Sequence, residues 1–178
     1  MAQFKALSDS VEVDGKTLLS IVDGMGAFKV KALKILAENG IINPKPGKWY
    51  SQQAWLNAFK VIAEDIGAET LYTVGTKIPK YAKWPPGIEN VEQALASIDT
   101  AYHINHRGGG EIGGYKFQQT GEGEGEMVCD SPFPCDFDRG VIEAVAQKFS
   151  SSAKVVHDDN KPCRNKNGDL CVYKITWK

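Results

Sequence analysis

Cysteine is absent from the first 128 residues of this 178-residue chain, and all four thiols fall between Cys129 and Cys171. Scattered structural disulfides are thereby excluded from the N-terminal two thirds, and whatever chemistry sulfur supplies is concentrated in the last third. Long apolar runs are also missing. No stretch approaches the roughly 20 consecutive apolar residues that span a bilayer, so no membrane span is expected. The opening MAQFKALSDSVEVDG has no positive segment followed by an apolar one, as a secretory signal would, and a cytoplasmic location is the expectation. Charge of one sign is not in excess. Twenty-one Lys and Arg against 22 Asp and Glu leave a formal net charge of -1, which gives no electrostatic reason to expect nucleic acid as a partner. The glycines at 108–110 and 113–114 lack the Lys and Ser/Thr of a phosphate loop. Neither a Gly-x-Ser-x-Gly elbow nor a His-Glu-x-x-His helix occurs, so no catalytic residue is assigned and the reading leans away from an enzyme.

What is present reads as an α+β domain. FKALSDSVEVDGKTLLSIV mixes short alternating segments with Asp14-Gly15, a hairpin-turn dipeptide. From Ala27 to Glu38, Phe28, Val30, Ala32, Leu33, Ile35, Leu36 and Ala37 suit one buried helical face, with Asn39-Gly40 as the stop. Residues 1–44 form an arm and helix expected to pack on a main domain, 45–178. In that domain Ser51 caps a helix carrying Trp55, Leu56, Phe59, Ile62 and Ala63. Another helix runs from Ala68 towards Lys77 and stops before Pro79. Asn90 caps a third, with Val91, Ala94, Leu95, Ile98 and Tyr102 as its stripe. After Gly110 the period turns strand-like. IGGYKFQQT and GEMVCD read as a hairpin, DFDRGVIEAVAQKF as a helix, and AKVVHDD and LCVYKITW as two further strands. The architecture expected is N-terminal helices packed on a four-stranded antiparallel sheet of β-β-α-β-β order.

Cys163 and Cys171 flank RNKNGDL, so adjacent antiparallel strands bring both thiols to one end of the sheet. Cys135 stands at the start of the last helix, where unpaired N–H groups and the helix dipole favour a thiolate. Three thiolates converging there repel one another without a cation, and zinc accepts such a tetrahedral set of S and N donors. His157 is the favoured fourth ligand. Cys129, Asp158 and Asp159 remain open for that place.

The closing pattern HDDNKPCRNKNGDLCVYKITW, preceded by helices and β-β-α-β-β, resembles the 4-vinyl reductase domain family. Cys163, Gly168, Cys171 and Tyr173 occupy the places of its cysteine, turn glycine, second cysteine and aromatic strand, and the match is densest from Met127 onward. The resemblance implies zinc held by Cys135, Cys163 and Cys171 beside an apolar effector pocket. It departs at Asn160, which stands three before Cys163 where an acidic ligand is expected. The same fold resembles, more distantly, haem nitric-oxide-binding domains and trafficking-complex subunits, although the Tyr-x-Ser-x-Arg motif for haem propionates is missing.

His103 and His106, three apart, would share a helical face as a ligand-gripping or haem-ligating pair; the generic alternative is a cationic helix C-terminus. Trp84 and Tyr115 are pocket candidates among aromatics that otherwise build a core. Asp136 and Asp138 read as helix caps. The functional expectation is a small-molecule sensor for a hydrophobic or aromatic ligand, with structural zinc and a possible homodimer. The alternative is a haem-binding protein or enzyme using His103 or His106. A filled interaction subunit is the third reading.

Overall fold

The computed structural model describes residues 3–178; the first two residues of the 1–44 arm lie outside the described residues. The chain begins with β1 (Glu12–Asp14), α1 (Gly15–Gly24), a single 3-10 turn and α2 (Lys29–Glu38). β2 (Trp49–Ser51), α3 (Gln52–Asp65), α4 (Glu69–Tyr81), α5 (Val91–Ile104) and β3 (His106–Arg107) follow. The last third is β4 (Tyr115–Gly121), β5 (Glu124–Cys129), α6 (Cys135–Gln147), β6 (Lys154–His157) and β7 (Cys171–Thr176). The short strands form a three-stranded sheet ordered β2-β1-β3, and the long ones an antiparallel sheet ordered β4-β5-β7-β6. The α+β class and the β-β-α-β-β order are therefore those read from the sequence. Among the described residues no helix is long and apolar enough to cross a membrane.

Several local expectations change. Asp14-Gly15 is no hairpin turn: Asp14 leaves β1 and caps α1, its Oδ1 accepting from the Lys16 N–H at 2.8 Å. The same carboxylate that suits a turn satisfies an orphan helix donor, and here the helix supplies more bonds. In α2 only Ala32, Ile35 and Leu36 are buried, while Phe28, Val30 and Leu33 are exposed. The run is apolar on two sides, and a pattern cannot say which side is covered. α4 continues through Pro79 to Tyr81. Proline sits in the last turn with Gly75 four residues earlier, so ring crowding is confined to the helix end.

α4 and α6 pack at the centre of the helical layer, and glycine permits it. A Cβ on Gly75 would run into the Phe137 carbonyl, and one on Gly140 into the Tyr72 carbonyl. Each helix thus presents backbone to the other. Trp55 and Phe59 of α3 meet Phe133 and Phe137 across this junction, with ring centroids 4.9–6.1 Å apart, a spacing at which tilted and edge-on rings attract. The buried core is one cluster that includes Leu18 and Ile21 of α1, these aromatics, and Met127, Tyr173 and Ile175 of the sheet.

The substitution Gly140→Ala is expected to destabilise the protein by about 1–3 kcal/mol through overpacking. Gly109→Ala, where the nearest atom is 3.9 Å away, should change stability by under about 0.5 kcal/mol. Urea unfolding of both variants checks the contrast; equal effects would remove the backbone-contact explanation.

Candidate functional site

Two arrangements of polar atoms stand out, one at the sheet end and one in the helical layer. The first gathers Cys135 from the first residue of α6, His157 from the last of β6, Cys163 from the loop, and Cys171 from the first of β7. Their ligand atoms lie within 4.8 Å of one another. Antiparallel pairing of β6 with β7 sets His157 opposite Tyr173, two residues past Cys171. After Cys163 a 3-10 turn, Arg164–Lys166, leads to Asn167 at φ 63° and Gly168. Asn tolerates that left-handed conformation, and the N–H groups of Lys166 and Gly168 both donate to the Cys163 carbonyl at 2.8 Å. The chain reverses tightly enough to return Cys171 beside Cys163.

All four cysteines are free and buried. Cys135 Sγ lies 3.1 Å from Cys171 Sγ and 3.4 Å from Cys163 Sγ. The hydrogen bond from Cys135 draws the Cys171 thiol well below its ordinary range, and the Arg164 backbone N–H adds to that pull; the same bond holds the proton on Cys135. The Asn165 backbone N–H approaches Cys135 in turn. His157 Nδ1 lies 3.2 Å from Asp159 Oδ1, while its Nε2 is buried without a partner. A ring nitrogen fixed by a carboxylate, leaving the other facing sulfur, is the usual posture of a metal-ligating histidine. Of the other fourth-place residues, Asp158 is paired with Lys174 at 2.9 Å, and Asp159 braces His157 instead of joining the sulfurs. Cys129 pairs with Cys171 in register on β5 but stands outside the group of four.

The second arrangement is a cavity of about 40 Å³ between α3, α4, α5, α6 and β4, lined by Trp55, Ile78, Trp84, Tyr102, His106, Tyr115, Phe133 and Phe137, among others. His106 is buried, and its Nδ1 lies 2.7 Å from the Tyr102 carbonyl oxygen. A carbonyl only accepts, so Nδ1 carries the proton and Nε2 keeps its lone pair. That Nε2 is buried and unpartnered, as are the indole nitrogens of Trp55 and Trp84. Burial lowers the His106 pKa to about 4, with His103 adding a smaller push and the Tyr102 carbonyl opposing. The ring is neutral near pH 7.

His103 does not join it. α5 ends at Ile104 with Asn105 as C-cap, so His106 belongs to β3 and helical spacing does not relate the two rings. His103 is half exposed and bonds back to the Asp99 carbonyl. Trp84 and Tyr115 do line the cavity.

Sequence reasoning missed the pair that joins these arrangements. Asp138 is no cap: fully buried, it accepts from Tyr115 at 2.6 Å, from Ser131 at 3.3 Å and from Arg164 at 2.5 Å. Burial pushes its carboxyl up to about 7 against the opposing pull of Arg164. Arg164 donates further to the carbonyls of Phe133 and Cys129. A signal existed: Cys135, Asp138, Val141 and Val145 fall on one helical stripe, and a carboxylate on an apolar stripe calls for a buried cation.

The sequence matches no family model and no curated protein. Solved structures share the fold. An H-NOX protein from S. oneidensis in the Fe(II)NO ligation state superposes with a TM-score of 0.64 at 13% identity, over 93% of this chain and 99% of that one. The unliganded Fe(II) H-NOX protein from K. algicida gives 0.61 at 15% identity, covering 93% and 96%. A mutant of T. tengcongensis H-NOX gives 0.63 at 14%, covering 93% and 97%. The chain thus has the fold of H-NOX domains across nearly its whole length.

The unfolded chain takes up a proton at His106 near the ordinary value of 6.5, the folded one only near 4. Stability contributed by the neutral ring is therefore present above about 6.5 and lost as pH falls towards 4, on the order of 3 kcal/mol in all. Urea unfolding at pH 7 and 4.5 should show a steeper loss for the native chain than for His106→Gln; equal slopes would refute the assignment.

Proposed function

We propose that this chain is a sensory ligand-binding domain whose ligand is held at His106 in the helix–sheet cavity, with a structural zinc ion on Cys135, His157, Cys163 and Cys171. The observation that carries the reading is the buried, unpartnered Nε2 of a neutral histidine among aromatic walls. An unused acceptor in such a place costs stability of about 1–3 kcal/mol unless something binds it. Occupancy would shift a conformational equilibrium, and its output would pass to a separate partner or to a second copy of the chain. No catalytic step is assigned to any residue.

Haem is the occupant that the likeness to H-NOX proteins favours over the aromatic ligand, since structures of that family address haem distortion and bound NO. The donor fits. His106 offers a lone pair from Nε2 while Nδ1–H is fixed on a carbonyl, a donor that would suit a haem iron. The room does not: about 40 Å³ holds a few waters, and no Lys or Arg lines the cavity to meet carboxylates. The cavity as it stands does not admit a macrocycle; a haem there would need the walls rearranged, with His106, through Nε2, as the residue that would hold it.

The donor also suits a second reading, a small aromatic alcohol, for which the walls would likewise have to give way, since a dry cavity that takes benzene measures about 150 Å³. Its ring would lie among Trp55, Tyr102 and Phe133, and its hydroxyl would donate to His106 Nε2 and accept from the Trp84 indole. An apolar effector pocket beside the sulfur cluster is what the resemblance to 4-vinyl reductase domains implies, a resemblance that Cys163 and Cys171 themselves carry. Three thiols and one imidazole form a closed S₃N set suited to zinc, and a closed set is structural.

Haem added to the purified protein decides the occupant: a Soret band whose position shifts in His106→Ala would select haem and require the cavity to open, whereas an unshifted or absent band, with phenol bound instead and lost in the same variant, would select the second reading. Protein purified without added metal should carry about one equivalent of zinc, as four ligands to one ion require. Cys163→Ser should reduce that content and lower the melting temperature. A fully folded, metal-free native protein would sink the zinc assignment.

A further inference from the structure

Arg164 lies between the two arrangements, next in sequence to a cysteine of one and hydrogen-bonded to a residue that walls the other. Its residue number follows Cys163, and its backbone N–H approaches the Cys171 sulfur. Its guanidinium turns inward, donating to the Phe133 carbonyl at 2.7 Å, the Cys129 carbonyl at 2.8 Å and Asp138 Oδ2 at 2.5 Å. Asp138 in turn receives the Tyr115 hydroxyl at 2.6 Å. Tyr115 and Phe133 are walls of the His106 cavity. Every link is buried, so water cannot substitute for a displaced partner, and a buried charge cannot be left unpaired.

We infer that the Arg164–Asp138 pair couples the sulfur cluster to the cavity, so that filling one changes the affinity of the other. The inference rests on the proposed ligand and metal sites and deepens them by naming the residues that link them. The physical route is short. Closing four donors on an ion fixes the Cys163–Lys166 turn. That turn fixes the fork of Arg164, and the fork fixes where the β5–α6 loop holds the Phe133 ring and where Asp138 holds Tyr115. Arg164 touches neither ion nor ligand and is a positioning residue for both.

Linkage makes the effect reciprocal, and couplings of this kind commonly amount to about 5–150-fold. The test uses zinc and phenol as probes on the full chain. Zinc affinity is read by competition with a chromogenic chelator, phenol affinity by calorimetry on zinc-loaded and zinc-free protein. The state of the cavity is followed by tryptophan emission and its quenching by acrylamide, since Trp55 and Trp84 line it. Zinc is expected to change the emission and to tighten phenol at least about 5-fold, with phenol tightening zinc by the same factor. Arg164→Lys, which keeps the charge and loses the fork, should lower zinc affinity about 10–100-fold and abolish the mutual effect. Should Arg164→Lys fail to fold, Tyr115→Phe, which removes one hydroxyl, should reduce the mutual effect while leaving zinc bound. Zinc that binds a folded chain without altering emission, quenching or phenol affinity overturns the coupling and leaves the metal site standing. Zinc that does not bind overturns both. If phenol binds neither form, the aromatic-ligand reading fails, and the zinc-dependent emission decides the coupling alone.

Discussion

Asp138 and Arg164 form, among the described residues, the ion pair with both side chains buried, and much of the C-terminal half is arranged around keeping them satisfied. Removing an ion from water costs several kcal/mol even after relaxation, and attraction offsets that only with good geometry and further hydrogen bonds. Both conditions hold. The carboxylate has three donors, and the guanidinium reaches one carboxylate and two carbonyls. Those partners come from β4, the end of β5, the β5–α6 loop and α6, while Arg164 itself comes from the turn before β7. One ion pair therefore ties these elements to one another at the sulfur end of the sheet, where β6 is held instead by its pairing with β7.

Why a cavity persists nearby follows from the same constraint. Gly75 and Gly140 bring α4 and α6 to backbone contact, which sets the height of the layer above the sheet. Bulky rings then fill what is left, and rings prefer tilted and edge-on packing, which leaves gaps at their corners. The gap here is bounded by Trp55, Tyr102, Phe133 and Phe137, and His106 closes one side. A purely apolar gap would be a defect worth filling with a methyl group. One that also contains an unpartnered imidazole nitrogen and two unpartnered indole N–H groups has the composition of a binding site: apolar walls with a few convergent polar atoms.

The sequence was readable where one physical rule acted alone. The succession β-β-α-β-β along the chain, the caps at Ser51 and Asn90, and the gathering of Cys135, His157, Cys163 and Cys171 at one sheet end all follow from period, turn chemistry and spacing. It misled where two rules competed. Asp14 suits a turn or a cap, and the helix after it decided. Phe28, Val30 and Leu33 suit a buried stripe, yet α2 turns its other side inward. His103 and His106 look like a helical pair until Asn105 ends the helix between them. Arg164 was illegible for a different reason: nothing near it in sequence marks it, and its partner lies 26 residues away.

Three sulfurs within a few ångströms raise a further physical demand. The hydrogen bond from Cys135, with Arg164 beside it, favours negative charge on Cys171, and the Asn165 N–H approaches Cys135. These contacts cannot stabilise three thiolates, because each added negative charge at this distance repels the last by more than a helix terminus returns, about 0.3–2 kcal/mol. A second and third ionisation there would call for a cation, which is the part the proposed zinc would play. On the proposed coupling, an ion at the sulfur end would hold the loop that carries Arg164, and through Arg164 and Asp138 it would hold the walls of the cavity.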